Sequence, residues 1–245
     1  TVTPYIILLS FALSNLLPAL ILKQRDSFKS PPNLSLNGLL ETAHAASPTM
    51  KYMVPAHLLS RYSSNVFILV GGFLLNDHTG LAMYALVAKF LLAPVSIFTS
   101  TMSDVVKREV FVSPKRGLKN YLKLALNMSV LGAIAITMVT SFANDVILLT
   151  MGDKWVDASA YAIALLPLFF VTLVFSPLTY TYIILQKQHI DLTWQMFNAC
   201  FVSLALYMGL QSDMITALWF YSIAASLSLL ASFFVCIYLI IKAEN

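Results

Sequence analysis

Lys51–Gly117 reads KYMVPAHLLSRYSSNVFILVGGFLLNDHTGLAMYALVAKFLLAPVSIFTSTMSDVVKREVFVSPKRG. Two apolar stretches, Tyr52–Leu75 and Leu81–Met102, flank the polar turn Asn76-Asp77-His78-Thr79-Gly80. Each can cross a hydrocarbon layer about 30 Å thick, which takes about 20 apolar helical residues. Each also carries a cation deep in its length, Arg61 in the first and Lys89 in the second, and neither arm contains a carboxylate to pair with it. At about 1.5 Å rise per residue, Arg61 falls about 15 Å from either face, and Lys89 about 13 Å from the turn. A cation at that depth costs about 2.5–3.5 kcal/mol. Two such charges predict a wet cavity that receives an anion.

The surrounding composition supports the membrane reading. The chain has 245 residues, 59% hydrophobic and 11% charged, with a mean hydropathy of +0.80. A soluble domain is about 25% charged, so that class is excluded. Apolar segments of spanning length are Pro4–Leu22, Tyr52–Leu75, Leu81–Met102, Leu118–Thr140, Ala158–Gln186, Leu192–Leu210 and Ile215–Ile241. The expected fold class is therefore an all-α integral membrane protein with seven transmembrane helices. The polar stretch Lys23–Met50 opens as a loop around Pro31-Pro32, with Gly38–Ala46 expected as a short surface helix. Cys200 and Cys236 both lie in apolar runs, too few for a disulfide framework or a four-ligand metal site.

Basic residues set the orientation. Lys23, Arg25, Lys29, Lys51, Lys107, Arg108, Lys115, Arg116, Lys119 and Lys187 fall on one side, and only Lys154 on the other. The basic side is expected in the cytoplasm, with the C-terminus there too. Span one then runs inward from outside, which suits a helix that closes an earlier bundle in a chain cut from a larger protein. Residues 1–50 are thus expected to be the last helix of a first lobe plus a cytoplasmic linker. Residues 51–245 are expected to form a six-helix second lobe, as in transporters built from repeats. The formal charge of +4 fits this orientation better than nucleic acid, and no nucleic-acid partner is expected.

Chemistry-bearing patterns are few. His44, His57, His78 and His189 lack metal-ligand spacing, and there is no phosphate-binding glycine loop. No enzymatic activity, cofactor or metal is expected. A polar stripe does exist: His57, Arg61, Ser64 and Asn65 recur at i, i+4, i+7 and i+8 on one helix face. Lys89, Ser96, Ser100 and Ser103 share a face of the next helix. The competing reading turns these serines onto their own helix carbonyls and lets Lys89 snorkel outward. Gln195 and Asn198, and the serines Ser222, Ser226, Ser228 and Ser232, are read first as helix-packing contacts. Pro55, Pro94, Pro167 and Pro177 fall inside apolar runs, where each removes a backbone donor and favours a kink.

Residues Met151–Phe170, MGDKWVDASAYAIALLPLFF, and Phe175–Gln188, FSPLTYTYIILQKQ, resemble a known family. So do Leu39–Ser64 and Tyr84–Ser100. These stretches are similar to the second half of polysaccharide flippases in the multidrug/oligosaccharidyl-lipid/polysaccharide exporter superfamily. Gly152, Asp153 and Trp155 match the family's turn before the long helix, Pro167, Ser176 and Pro177 its kinks, and Lys89 a position usually basic. Ala82 departs from the pattern, where a glycine is common. The resemblance implies a two-lobed helical transporter in the bacterial inner membrane. Its substrate would be a polyprenyl-diphosphate-linked oligosaccharide, moved from the cytoplasmic to the outer leaflet for surface polysaccharides such as lipopolysaccharide O-antigen. Membrane lipids and other polysaccharide-assembly proteins would be its partners. The candidate cavity residues are then Arg61, Lys89, Asn65, Ser64 and His57. Two further readings stay open, a cation-coupled small-molecule exporter and a membrane glycan polymerase or ligase.

Overall fold

The computed structural model describes residues 36–74, 78–112, 117–152 and 155–244. The expected span Pro4–Leu22 and residues 23–35 of the linker lie outside them. The chain divides into two compact units, Thr1–Pro48 and Thr49–Asn245, and the packing below belongs to the second. The described residues form helices and no strand: α1 Leu36–Leu74, α2 His78–Val112, α3 Gly117–Met151 and α4 Ala158–Phe175. A 3₁₀ turn at Ser176–Tyr180 then leads into α5 Thr181–Ile184, α6 Gln188–Gly209 and α7 Met214–Glu244. Gly38–Ala46, expected as a separate short helix, is helical within α1.

Four stretches are long and apolar enough to cross a membrane: His78–Arg108, Leu118–Phe142, Ala158–Ile184 and Met214–Ala243. Exposed apolar side chains such as Phe73 at 90% and Leu149 at 88% would be costly in water and comfortable in lipid. Helices α1 and α6 are not among the four. The reason lies in their sequences, because Ser60, Arg61, Ser63, Ser64 and Asn65 interrupt α1, and Gln195 and Asn198 interrupt α6.

Proline shapes the middle of the bundle. Pro94 lies inside α2 and Pro167 inside α4, and Pro177 starts the 3₁₀ turn that ends α4. Beside Pro167, the Leu168 N–H donates to Ser222 Oγ at 3.3 Å, an interhelical bond from a fully buried serine. In the apolar interior such a donor must find a partner, and here α7 supplies it.

The turn between α5 and α6 is strained at a single residue. Lys187 N–H donates to the Tyr182 carbonyl at 2.8 Å, and Gln186 N–H to that of Ile183 at 3.1 Å. This is the double bond pattern that closes a helix through a left-handed residue, a place usually given to glycine. Gln186 occupies it with φ 54°. Gln186→Gly is expected to stabilise the protein by about 0.5–1 kcal/mol, the relieved left-handed strain less glycine's larger unfolded entropy. A thermal melt in detergent checks this, and a lowered midpoint would show that the side chain is needed.

The core of the second unit falls into two main parts and a small third one of Val95, Phe169 and Leu173. One packs Val66, Phe67, Tyr84, Tyr161, Leu165, Leu206, Leu218 and Tyr221. The other packs Val106, Tyr121, Leu178, Tyr182, Phe233, Cys236 and Leu239. The same order repeats along three helices. On α2, Tyr84 and Val106 bracket the middle; on α4 and its extension, Leu165 and Tyr182 do; on α7, Leu218 and Leu239 do. The functional question concerns what lies between.

Candidate functional site

A cavity of about 390 Å³ occupies that middle zone, within the range of about 300–1,000 Å³ typical of small-molecule sites. Five helices and the 3₁₀ turn build its wall. Ser60, Arg61, Ser63 and Ser64 come from α1, and Leu92, Val95, Ser96 and Thr99 from α2. Leu168 and Thr172 come from α4, with Ser176 and Thr179 from the turn after it. Trp194, Gln195, Asn198 and Val202 come from α6, and Tyr221, Ala225, Ser228, Leu229 and Ser232 from α7.

Helix α1 is anchored on one flank of this cavity and open on the other. Val66 and Phe67 are fully buried, with the Phe67 ring 4.3 Å from Tyr84 and 5.8 Å from Tyr221. Tyr221 also donates its hydroxyl toward the carbonyls of Ser63 and Ser64, each at 3.3 Å. Tyr62 pairs with Ser203 of α6 at 3.1 Å, and the rings of Tyr52 and His189 meet edge-on at 6.3 Å. These contacts hold α1 against α6 and α7, so the Ser60–Ser64 turn becomes a wall.

Of the residues expected from sequence, Arg61 and Ser64 line the cavity. Lys89 is exposed, stands one turn before Leu92 on α2 and does not line it. Asn65 is exposed and donates to the Arg61 carbonyl at 2.8 Å on its own helix. His57 is exposed, one turn before Arg61, and is not part of the wall. The expected α2 stripe divides: Ser96 faces this cavity, Ser100 a separate one beside Asp104 and Arg108, and Ser103 is buried. The three serines each bond a carbonyl of their own helix, Ser103 the i−4 carbonyl of the competing reading and Ser96 and Ser100 the i−3 carbonyl instead.

Sequence reasoning ranked Gln195, Asn198, Ser228 and Ser232 as packing residues, and the structure puts all four in the wall. Ser222 follows the packing reading, accepting from Leu168 N–H of α4, whereas the buried Ser226 donates to the Ser222 carbonyl of its own helix. A helix-wheel comparison of Gln195 and Asn198, three residues apart on one face, could have flagged the α6 pair.

Electrically the wall holds one cation, Arg61, and no carboxylate. Among the described residues the one ion pair is Lys107–Asp104 at 2.7 Å, away from this cavity. Gln195 reaches an acid behind the wall, donating to Asp191 at 3.3 Å. Burial pushes the Asp191 carboxyl up, against the opposing pull of the Gln195 hydrogen bond and the charge of His57. No cluster of metal-ligating side chains exists among the described residues.

Over the described residues, fold and site together define a helical body with membrane-length apolar helices and a hydroxyl-lined, singly cationic cavity. No protein-family model matches the chain, and no curated protein or solved structure matches it either.

Proposed function

We propose that this chain is the second half of a two-lobed bacterial inner-membrane transporter, with seven spans and a cytoplasmic C-terminus. Its work is to flip a polyprenyl-diphosphate-linked oligosaccharide from the cytoplasmic to the outer leaflet. The observation that carries the reading is Arg61 on the wall of a polar cavity with no lining carboxylate. A cation in such a place attracts anionic ligands and repels cationic ones. An exporter of cationic small molecules would instead be expected to set an acid in the wall. The polar faces of α1 and α6, which keep those helices from being uniformly apolar, suit helices that border a wet passage rather than lipid alone.

Function enters as electrostatic attraction, with no bond made or broken. The substrate's charged group is held at Arg61, and its sugars need somewhere to lose water without losing hydrogen bonds. Pro94, Pro167 and Pro177, all near the cavity's level, weaken the helices there and permit the bending that alternating access needs. Deleting the gene in its host tests the reading. Surface glycan is expected to fall sharply while lipid-linked oligosaccharide accumulates facing the cytoplasm. Normal surface glycan with raised sensitivity to cationic drugs would overturn it in favour of the exporter.

A further inference from the structure

The hydrogen-bonding state of the wall says which part of a substrate it suits. Ser63, Ser64, Ser96, Thr99 and Thr179 each spend their proton on a carbonyl of their own helix, at 2.7–3.1 Å. A hydroxyl so committed has only lone pairs left to offer. Lone pairs repel an anion and welcome O–H donors. A diphosphate also carries more negative charge than the single guanidinium of Arg61 balances. Most of this surface is therefore poorly matched to phosphate and well matched to a neutral polyhydroxy group.

Three more observations point the same way. Ser228 is 3% exposed, and its hydroxyl has no hydrogen-bond partner among the described residues although it lines the cavity. A buried hydroxyl is rarely left unpaired without a reason. Asn198 and Gln195 add amides that can both donate and accept. Trp194 adds a rigid aromatic plane on the same wall, and its flat apolar face suits the C–H face of a sugar ring. Arg61 is exposed and Ser228 buried, so the same wall carries an accessible charge and a buried orphan hydroxyl.

We infer that Trp194, Gln195, Asn198 and Ser228 form a subsite for an uncharged sugar ring, with Arg61 holding the phosphate beside it. This deepens the flippase reading and rests on it. The full-length protein in lipid nanodiscs is titrated by calorimetry with neutral disaccharides (chitobiose, maltose and lactose) and, separately, with inorganic pyrophosphate. At least one disaccharide is expected to bind. Asn198→Ala and Ser228→Ala are expected to weaken it about two- to tenfold each, the range of a lost neutral hydrogen bond, with pyrophosphate unchanged. Arg61→Ala is expected to do the reverse. Ser228→Ala also guards against misfolding, because removing an unpaired buried hydroxyl should leave the melting temperature equal or higher. Pyrophosphate binding without any disaccharide, or disaccharide binding indifferent to both α6 and α7 variants, overturns the subsite and leaves the flippase reading standing. Failure of both ligands overturns the two together.

Discussion

Arg61→Glu is expected to abolish transport while leaving the protein in the membrane at its normal level. Arg61 is exposed, so replacing it opens no hole in the packed core. Its guanidinium has no carboxylate partner among the described residues, so no ion pair is broken either. Insertion should change little, because a carboxylate costs about as much to place in the hydrocarbon layer as the cation it replaces, about 2.5–3.5 kcal/mol. What disappears is the attraction for an anion, about 1.5–3 kcal/mol for a charge-assisted hydrogen bond. That is about a ten- to hundredfold loss of affinity, and glutamate adds repulsion to it. Arg61→Lys should keep part of the activity, since it preserves charge but not the planar fork that grips a phosphate with two bonds. The measurement pairs membrane abundance with surface glycan. Lys89→Glu, off the wall, is the comparison and should lose much less. Equal losses from the two would mean that the lobe's overall charge decides transport, and that the cavity does not. Normal glycan with Arg61→Glu would remove Arg61 from the mechanism.

Gly209→Ala should be the most damaging single methyl group in the second unit. A Cβ built on Gly209 would stand 2.6 Å from the Ala217 Cα and 3.2 Å from its nitrogen. Both are backbone atoms, so nothing can swing aside. Helices α6 and α7 meet here across the short turn between Gly209 and Met214, and small residues are what allow such close crossings in membranes. Overpacking of this kind costs about 1–3 kcal/mol, occasionally more. The expected result is a lower yield of monodisperse protein after extraction and a lower melting temperature. Gly132→Ala makes the useful contrast. Its Cβ would meet the Phe170 ring at 2.8 Å, a side chain that can rotate, so the loss should be smaller. A Gly209→Ala protein as stable as the parent would show that the helix pair can slide apart freely.

Much of the architecture could be read from the apolar runs, because a membrane leaves a chain few options. A run long enough to cross it must be helical, since every backbone group has to be satisfied within the segment. That logic places α2, α3, α4 and α7. It works less well for α1 and α6, where polar residues lower the hydropathy, and those are the helices that contribute Arg61 and Asn198 to the cavity. Periodicity put Arg61 and Ser64 on one face, and the structure turns both toward the cavity. It could not separate Ser96 from Ser100 on α2, because which side of a helix meets water depends on neighbours far away in sequence. The same limit hid Ser228. Along α7 its serines look alike, and only the packing of α4 distinguishes Ser222, which caps a backbone donor, from Ser228, which has no such bond.

The division of the core has a mechanical consequence. A bundle with one continuous interior resists bending everywhere at once, because any tilt disturbs the whole of it. Here two apolar knots, one around Phe67 and Tyr221 and one around Tyr182 and Phe233, sit at opposite ends of α2, α4 and α7. Between them lie the hydroxyl-lined cavity on one side and only a small apolar cluster of Val95, Phe169 and Leu173 on the other, with Pro94 and Pro167 in the same stretch. Such a body behaves like a rod clasped at both ends with a compliant middle. For the proposed transporter this division would let one clasp loosen while the other keeps the helices in register, widening one end with no matching loss of cohesion at the far end. Backbone amides at the two ends should accordingly exchange with solvent deuterium on separate schedules, each knot melting as its own unit.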